Sequence, residues 1–198
     1  MPDLREDLRS ILQGCVCLVG VGNVEYGDDG FGVKLAKGLE SARASWAAFS
    51  PSPKAIPGNL FAAEPIVEDA DRSIRSSCVS QIINAGISPE HHLSFLANGA
   101  FDTVTFFDAV EFGGTPGSVT LLNSEEMASR FPQVSTHRIS LSLLAQMIEA
   151  NGRTKVWLLG VQPASMRRSQ SLSLPVRETL ELLAETLCEL YAPEEVSV

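Results

Sequence analysis

A chain of 198 residues, 44% of them hydrophobic, has the material for one domain with a sizeable core. Its 24 acidic against 15 basic residues give a formal charge of −9, which argues against nucleic acid and against an anionic membrane surface as partners. No apolar run approaches the roughly twenty residues that span a bilayer, and the mixed-charge start Met1-Pro2-Asp3-Leu4-Arg5-Glu6-Asp7 does not read as a signal peptide.

From Cys15 to Val21 runs a short apolar stretch with β-branched residues and no helical period, the mark of a buried strand. It breaks at Gly20, Gly22 and Asn23, residues suited to sharp turns. Two adjacent acids follow, Asp28 and Asp29. Phe31, Leu35 and Leu39 then recur with a helical period, with Ala36 alongside. The acids therefore sit where a strand hands over to a helix, the edge at which open α/β sheets bind ligands. Three readings of the stretch compete. A dinucleotide fingerprint needs a third glycine where Glu25 stands, and two carboxylates would repel a pyrophosphate. Asp29 as a helix N-cap with Asp28 as a turn residue is the plain structural reading. A metal or catalytic site requires partners from elsewhere in the chain.

Residues 41–72 are rich in Ala, Ser and Pro without a sustained period, and read as a loop insertion within a single domain spanning 1–198. Cys78 to Asn84 predicts a second strand, ended by Asn84-Ala85-Gly86. Ser88-Pro89-Glu90 opens a helix, with Ser88 as N-cap and Pro89 at its first position. His91 and His92 point about 100° apart on such a helix, so they read as surface or half-buried residues rather than joint ligands.

Asp102 to Asp108 is an apolar strand ending in an acid, followed by a glycine-rich loop over 109–117 and a strand from Ser118 to Leu122. Ser124-Glu125-Glu126 starts a short helix. Ser135-Thr136-His137-Arg138 precedes another, with Ile139, Leu143, Met147 and Ile148 on one face and Asn151-Gly152 at its end. Lys155 to Val161 is a strand, 164–173 a polar loop, and a last helix from Pro175 buries Leu180, Leu183, Leu187 and Leu190. The four cysteines, Cys15, Cys17, Cys78 and Cys188, form no Cys-x-x-Cys pair and read as reduced thiols of a cytoplasmic protein.

Alternating strands and helices imply an α/β fold, a three-layer sandwich of a twisted, mostly parallel sheet of about five strands with helices on both faces. If the first strand lies beside the one ending at Asp108, Asp29 and Asp108 flank one crevice, and His137 at a helix start on the same edge can reach it. Two carboxylates and an imidazole form a borderline ligand set suited to nickel, copper or zinc, with positions left open. Local packing at a helix start is the competing reading for His137, and the residues alone leave the two balanced.

The ordered set Gly20-x-Gly22-Asn23, Asp28-Asp29-Gly30-x-Gly32, Phe107-Asp108-Ala109, Thr136-His137 and Gly160-Val161-x-Pro163 resembles the hydrogenase maturation endopeptidases. The resemblance covers most of residues 15–190 outside 41–72. It implies a protease that trims the C-terminus of the large-subunit precursor of a nickel–iron hydrogenase; the chain is expected to act as a monomer, without nucleic acid or membrane partners. It implies that Asp29, Asp108 and His137 are the catalytic and metal-binding set, ligating nickel that the precursor supplies, with Gly22, Asn23, Asp28 and Gly30 at the substrate. The chain departs from the family pattern at Asn84 and Ala164, where acids are common, and at Glu25, where an apolar residue or proline is common.

No nucleophilic elbow, Ser-His-Asp order or His-Glu-x-x-His pattern is present, and Cys15 and Cys17 fall in a strand. Two mechanisms stay open. Nickel can polarise the scissile carbonyl or a water. Alternatively it only docks the substrate while a carboxylate such as Asp28 acts as general base. The reading of another class is a non-catalytic nickel-binding maturation chaperone.

Overall fold

The computed structural model describes residues 4–49, 80–130 and 139–191. Helix α1 (Leu4–Ile11) leads into β1 (Val16–Val21), a 3-10 turn (Gly27–Gly30) and α2 (Phe31–Phe49). Strand β2 (Gln81–Gly86), α3 (Leu93–Asn98), β3 (Thr103–Ala109), β4 (Val119–Asn123) and α4 (Ser124–Arg130) come next. Helix α5 (Leu141–Glu149), β5 (Lys155–Val161) and α6 (Leu174–Tyr191) complete the described elements.

Five strands form one sheet in the order β2-β1-β3-β5-β4, and only β4 runs antiparallel, on the edge. Every residue of β1 and β3 is buried, as expected for central strands covered on both faces. Side-chain alternation divides the core in two. Val16, Leu18, Phe107, Leu159 and Val161 pack under α1, α2 and α6, against Leu8, Phe31, Leu35 and Leu187. Cys17, Val19, Phe106 and Leu158 pack under α3, α4 and α5, against Leu96, Met127, Leu144 and Ile148. Each such large apolar side chain contributes about 1.5–3 kcal/mol by leaving water. The α/β three-layer arrangement is therefore the expected one.

Four local expectations change. The reading of 41–72 as a loop fails for 41–49, which continue α2; alanine is the strongest helix former, and the run Ser41-Ala42-Arg43-Ala44 has no breaker. Residues 50–72 lie outside the described ones. Strand β2 runs through Asn84 and Ala85 to Gly86 rather than stopping at Asn84. The buried face of α5 is Leu141, Leu144, Ala145 and Ile148, whereas Leu143 and Met147 are 47% and 44% exposed. The reason is where the helix starts: the Ser140 hydroxyl accepts the Leu143 N–H at 3.3 Å as N-cap, so Ile139 precedes the helix and the period runs from Leu141. Finally, Cys15 is disulfide-bonded while Cys17 and Cys188 are free, so the reading of four thiols fails at Cys15. Spacing along the chain is silent on which distant cysteines meet. His91 is exposed and His92 half-buried, both on or beside a 3-10 turn opened by Pro89.

Candidate active site at the β1–β3 edge

Chain order and sheet order together locate the site. From β1 the chain moves to β2 on one side, then returns across to β3 on the other. The carboxyl ends of β1 and β3 thus form the switch point of the sheet, where diverging connections leave a crevice. Gly20 pairs in register with Phe107, so Asp108 lies one step further along β3, level with the turn that leaves β1.

That turn is tight, and its glycines are the cause. A Cβ on Gly32 would collide with the Phe107 carbonyl oxygen, and one on Gly20 with the Gly32 backbone and Ala36. Glycine at both positions lets the start of α2 settle directly on the ends of β1 and β3. Gly22 adopts a φ of +124°, and a Cβ there would run into the Asp29 carbonyl oxygen and lie 3.8 Å from Asp108 Oδ1. Gly22 is therefore wedged between the two acids.

Asp29 and Asp108 are 7% and 5% exposed. Asp29 Oδ2 accepts the Asn23 N–H at 2.9 Å, and Asp108 Oδ1 accepts the Ala109 N–H at 2.9 Å. Two buried acids thus stand together at the carboxyl ends of the paired strands β1 and β3, residue types that can serve a cation. Asp108 shares the side-chain parity of Val104 and Phe106, whose layer contains α5. His137 lies outside the described residues. Helix α5 feeds β5, so its N-terminal end belongs at the same carboxyl edge as Asp29 and Asp108. Among the described residues no three His, Cys, Asp or Glu side chains could hold a metal.

The remaining residues expected at the substrate separate. Asn23 is half-exposed, and its Oδ1 accepts the Glu25 N–H at 3.0 Å in an Asx turn. Gly22 and Gly30 are buried, where close packing requires them. Asp28 is wholly buried, and its carboxylate accepts four hydrogen bonds, from the N–H groups of Ala164, Ser165 and Ser173 and from the Ser173 hydroxyl. It offers a substrate no surface, and its oxygens are already occupied, so the roles of substrate contact and general base do not suit it. Its neighbour Asp29 is no simple N-cap either, since its carboxylate turns back to Asn23.

Sequence reasoning missed Gln162, which is buried and accepts the N–H groups of Phe112 and Gly114 at 2.9 and 3.1 Å. It holds the loop that leaves Asp108. Nothing in the local pattern distinguishes this glutamine from a surface one. Cys17 is buried in β1, and burial pushes its thiol up to about 12, far from a thiolate nucleophile at neutral pH.

The fold and site define a class: a three-layer α/β domain with two buried acids at the switch point of its sheet. The family model described as hydrogenase maturation protease, HycI, matches residues 66–190. The chain belongs to this hydrogenase maturation protease family and is an endopeptidase. It is 25% identical over 171 residues to hydrogenase 3 maturation protease of Escherichia coli K12, covering 86% of each chain. To the hydrogenase expression/formation protein HupD of Bradyrhizobium diazoefficiens it is 22% identical over 204 residues, spanning 100% of this chain and 85% of that one. The crystal structure of the nickel–iron hydrogenase maturation protease HycI from Thermococcus kodakarensis superposes with a TM-score of 0.67 at 26% identity, over 93% of this chain and 97% of that one. The maturating endopeptidase HybD of E. coli shares the fold, with a TM-score of 0.60 at 22% identity over 87% and 89%.

Proposed function

We propose that this endopeptidase removes a C-terminal peptide from the nickel-loaded precursor of the large subunit of a nickel–iron hydrogenase. Nickel arrives as part of the substrate, and Asp29, Asp108 and His137 read it. One observation carries this reading: Asp29 and Asp108, each nearly inaccessible, flank Gly22 at the switch point of the sheet, where a Cβ would meet the Asp29 carbonyl oxygen and lie 3.8 Å from Asp108 Oδ1. Buried acids are rare unless paired with a cation. Two oxygens and one imidazole suit nickel while leaving positions for ligands from the precursor. The names of the relatives supply the hydrogenase context.

Hydrolysis adds the water oxygen to the scissile carbonyl carbon, breaks the C–N bond and passes the water's proton to the departing amine. With Asp28 occupied by four donors, the Lewis-acid route becomes the favoured one of the two, the substrate's metal polarising the carbonyl or the water. The chain's part is to hold the metal-bearing segment against Asp29 and Asp108.

The test is to incubate the purified protein with nickel-loaded and nickel-free precursor and weigh the products. A shortened large subunit is expected from the loaded form alone. No product, or equal cleavage of both forms, refutes the proposal. Calorimetry on the isolated protein is expected to show only weak nickel binding, because an open three-ligand site lacks the donors that the precursor supplies.

A further inference from the structure

The first acid of the Asp28-Asp29 pair is not used by the proposed reaction, yet its carboxylate accepts four hydrogen bonds. We propose that Asp28 is a positioning residue: its carboxylate fixes the 164–173 loop as a rigid rim of the crevice that receives the precursor. The part of this proposal that concerns the precursor rests on the function proposed above.

The loop leaves β5 just beyond the Asp108–Gly160 and Ala109–Val161 pairs, so it departs from the crevice edge itself. Ala164, Ser165, Arg167, Arg168, Ser169, Gln170 and Ser171 are all exposed, so most of its length has no buried apolar side chain to anchor it. What fixes it is polar. Asp28 Oδ2 accepts the N–H groups of Ala164 at 2.8 Å and Ser165 at 3.0 Å and the Ser173 hydroxyl at 2.9 Å, while Oδ1 accepts the Ser173 N–H at 2.6 Å. One carboxylate thereby grips both ends of the loop and removes the freedom of the chain between them. Backbone bonds lay the middle of the loop against the motif: Gly27 N–H to the Ser169 carbonyl at 2.7 Å, Ser169 N–H to the Glu25 carbonyl at 2.8 Å and Asp28 N–H to the Ser165 carbonyl at 3.1 Å. Lys34 Nζ adds a bond to the Gln170 carbonyl at 2.6 Å.

Asparagine cannot replace this acid. With its oxygen towards Ala164 and Ser165, its amide would face the Ser173 N–H, donor against donor. The adjacent residue, Asp29, is the acid assigned to the nickel in the function proposed above, so one turn carries both the site acid and the anchor of its rim.

Arg167 and Arg168 make the loop readable by trypsin, since a hydrogen-bonded backbone must open before it is cut. In the full-length folded protein, Asp28→Asn is expected to speed cleavage after Arg167 and Arg168 by about tenfold relative to cleavage at other sites. Ser173→Ala removes one donor and leaves the carboxylate, and is expected to speed it by about two- to threefold. Towards the nickel-loaded precursor, Asp28→Asn is expected to raise KM by about tenfold with kcat within about threefold, since the rim orients substrate and does no chemistry. Unchanged loop cleavage in folded Asp28→Asn overturns the proposal, as does acceleration shared equally by all sites. A fall in kcat at constant KM overturns it too, since Asp28 would then act on the chemical step. If Asp28→Asn does not fold, Ser173→Ala decides, and unchanged loop cleavage there overturns it. If the wild-type protein processes no precursor, the proposed function fails, and the trypsin comparison still decides the role of Asp28.

Discussion

Gly22 offers a sharp quantitative test because two separate penalties meet there. In Gly22→Ala the new methyl collides with the Asp29 carbonyl oxygen, and the φ of +124° is one that alanine rarely adopts. Backbone strain of this kind costs about 1–3 kcal/mol, and forcing an atom into a packed site about as much again, so the variant should lose about 4 kcal/mol. Gly86 is the control: its φ is +58° and a Cβ there would meet nothing within 4 Å, so Gly86→Ala carries the left-handed penalty alone, about 1–2 kcal/mol. Denaturant unfolding followed by circular dichroism on both variants and the wild type measures the difference. Gly22→Ala should be the less stable of the two by about 2 kcal/mol, and, where folded, should also lose processing, because relieving the clash moves Asp29 away from Asp108. A Gly22→Ala protein as stable as Gly86→Ala would refute the wedge on which the site geometry depends.

Asp108→Ala is expected to abolish processing while leaving the protein folded, and product formation with cooperative unfolding checks both; the variant loses at least the bond to the Ala109 N–H, worth about 1 kcal/mol. His137→Gln should fold normally yet lose nickel-dependent cleavage and retention of the nickel-loaded precursor; a destabilised but active variant would remove it from the site. The Cys17 thiol, held up near 12 against an ordinary 9.0, keeps its proton in the folded protein while the unfolded chain ionises. Its contribution is therefore complete below pH 9 and lost between about 9 and 12, so the stability difference between wild type and Cys17→Ala should shift against the wild type over that range. Parallel unfolding curves across pH 8–11 test it, and a constant difference would show that the thiol ionises alike in both states.

Strand β1 and the handover to α2 were legible because their signals are local: a run of apolar residues, a break at glycines, then Phe31, Leu35 and Leu39 on one face. The same holds for β3 and its acid Asp108; the mostly parallel sheet followed from the alternation of elements, whereas the adjacency of β1 and β3, a condition at the level of sequence, is decided by the sheet order. The buried face of α5 was misread at Leu143 and Met147, though not at Ile148, because it depends on where Ser140 caps the helix, a start that brings Leu141, Leu144 and Ala145 inward. The division of labour between Asp28 and Asp29 lay beyond any local pattern. Both are aspartates in one 3-10 turn, and both are buried. What separates them is the set of donors around each carboxylate. Asp28 accepts four hydrogen bonds from residues 136 to 145 positions further along the chain, and the Asn23 N–H, 6 positions back, is among the partners of Asp29. A side chain's chemistry is written in the sequence, but its task depends on which groups the folded chain brings to hydrogen-bond distance, and that is decided only when β5 and its loop close over the turn.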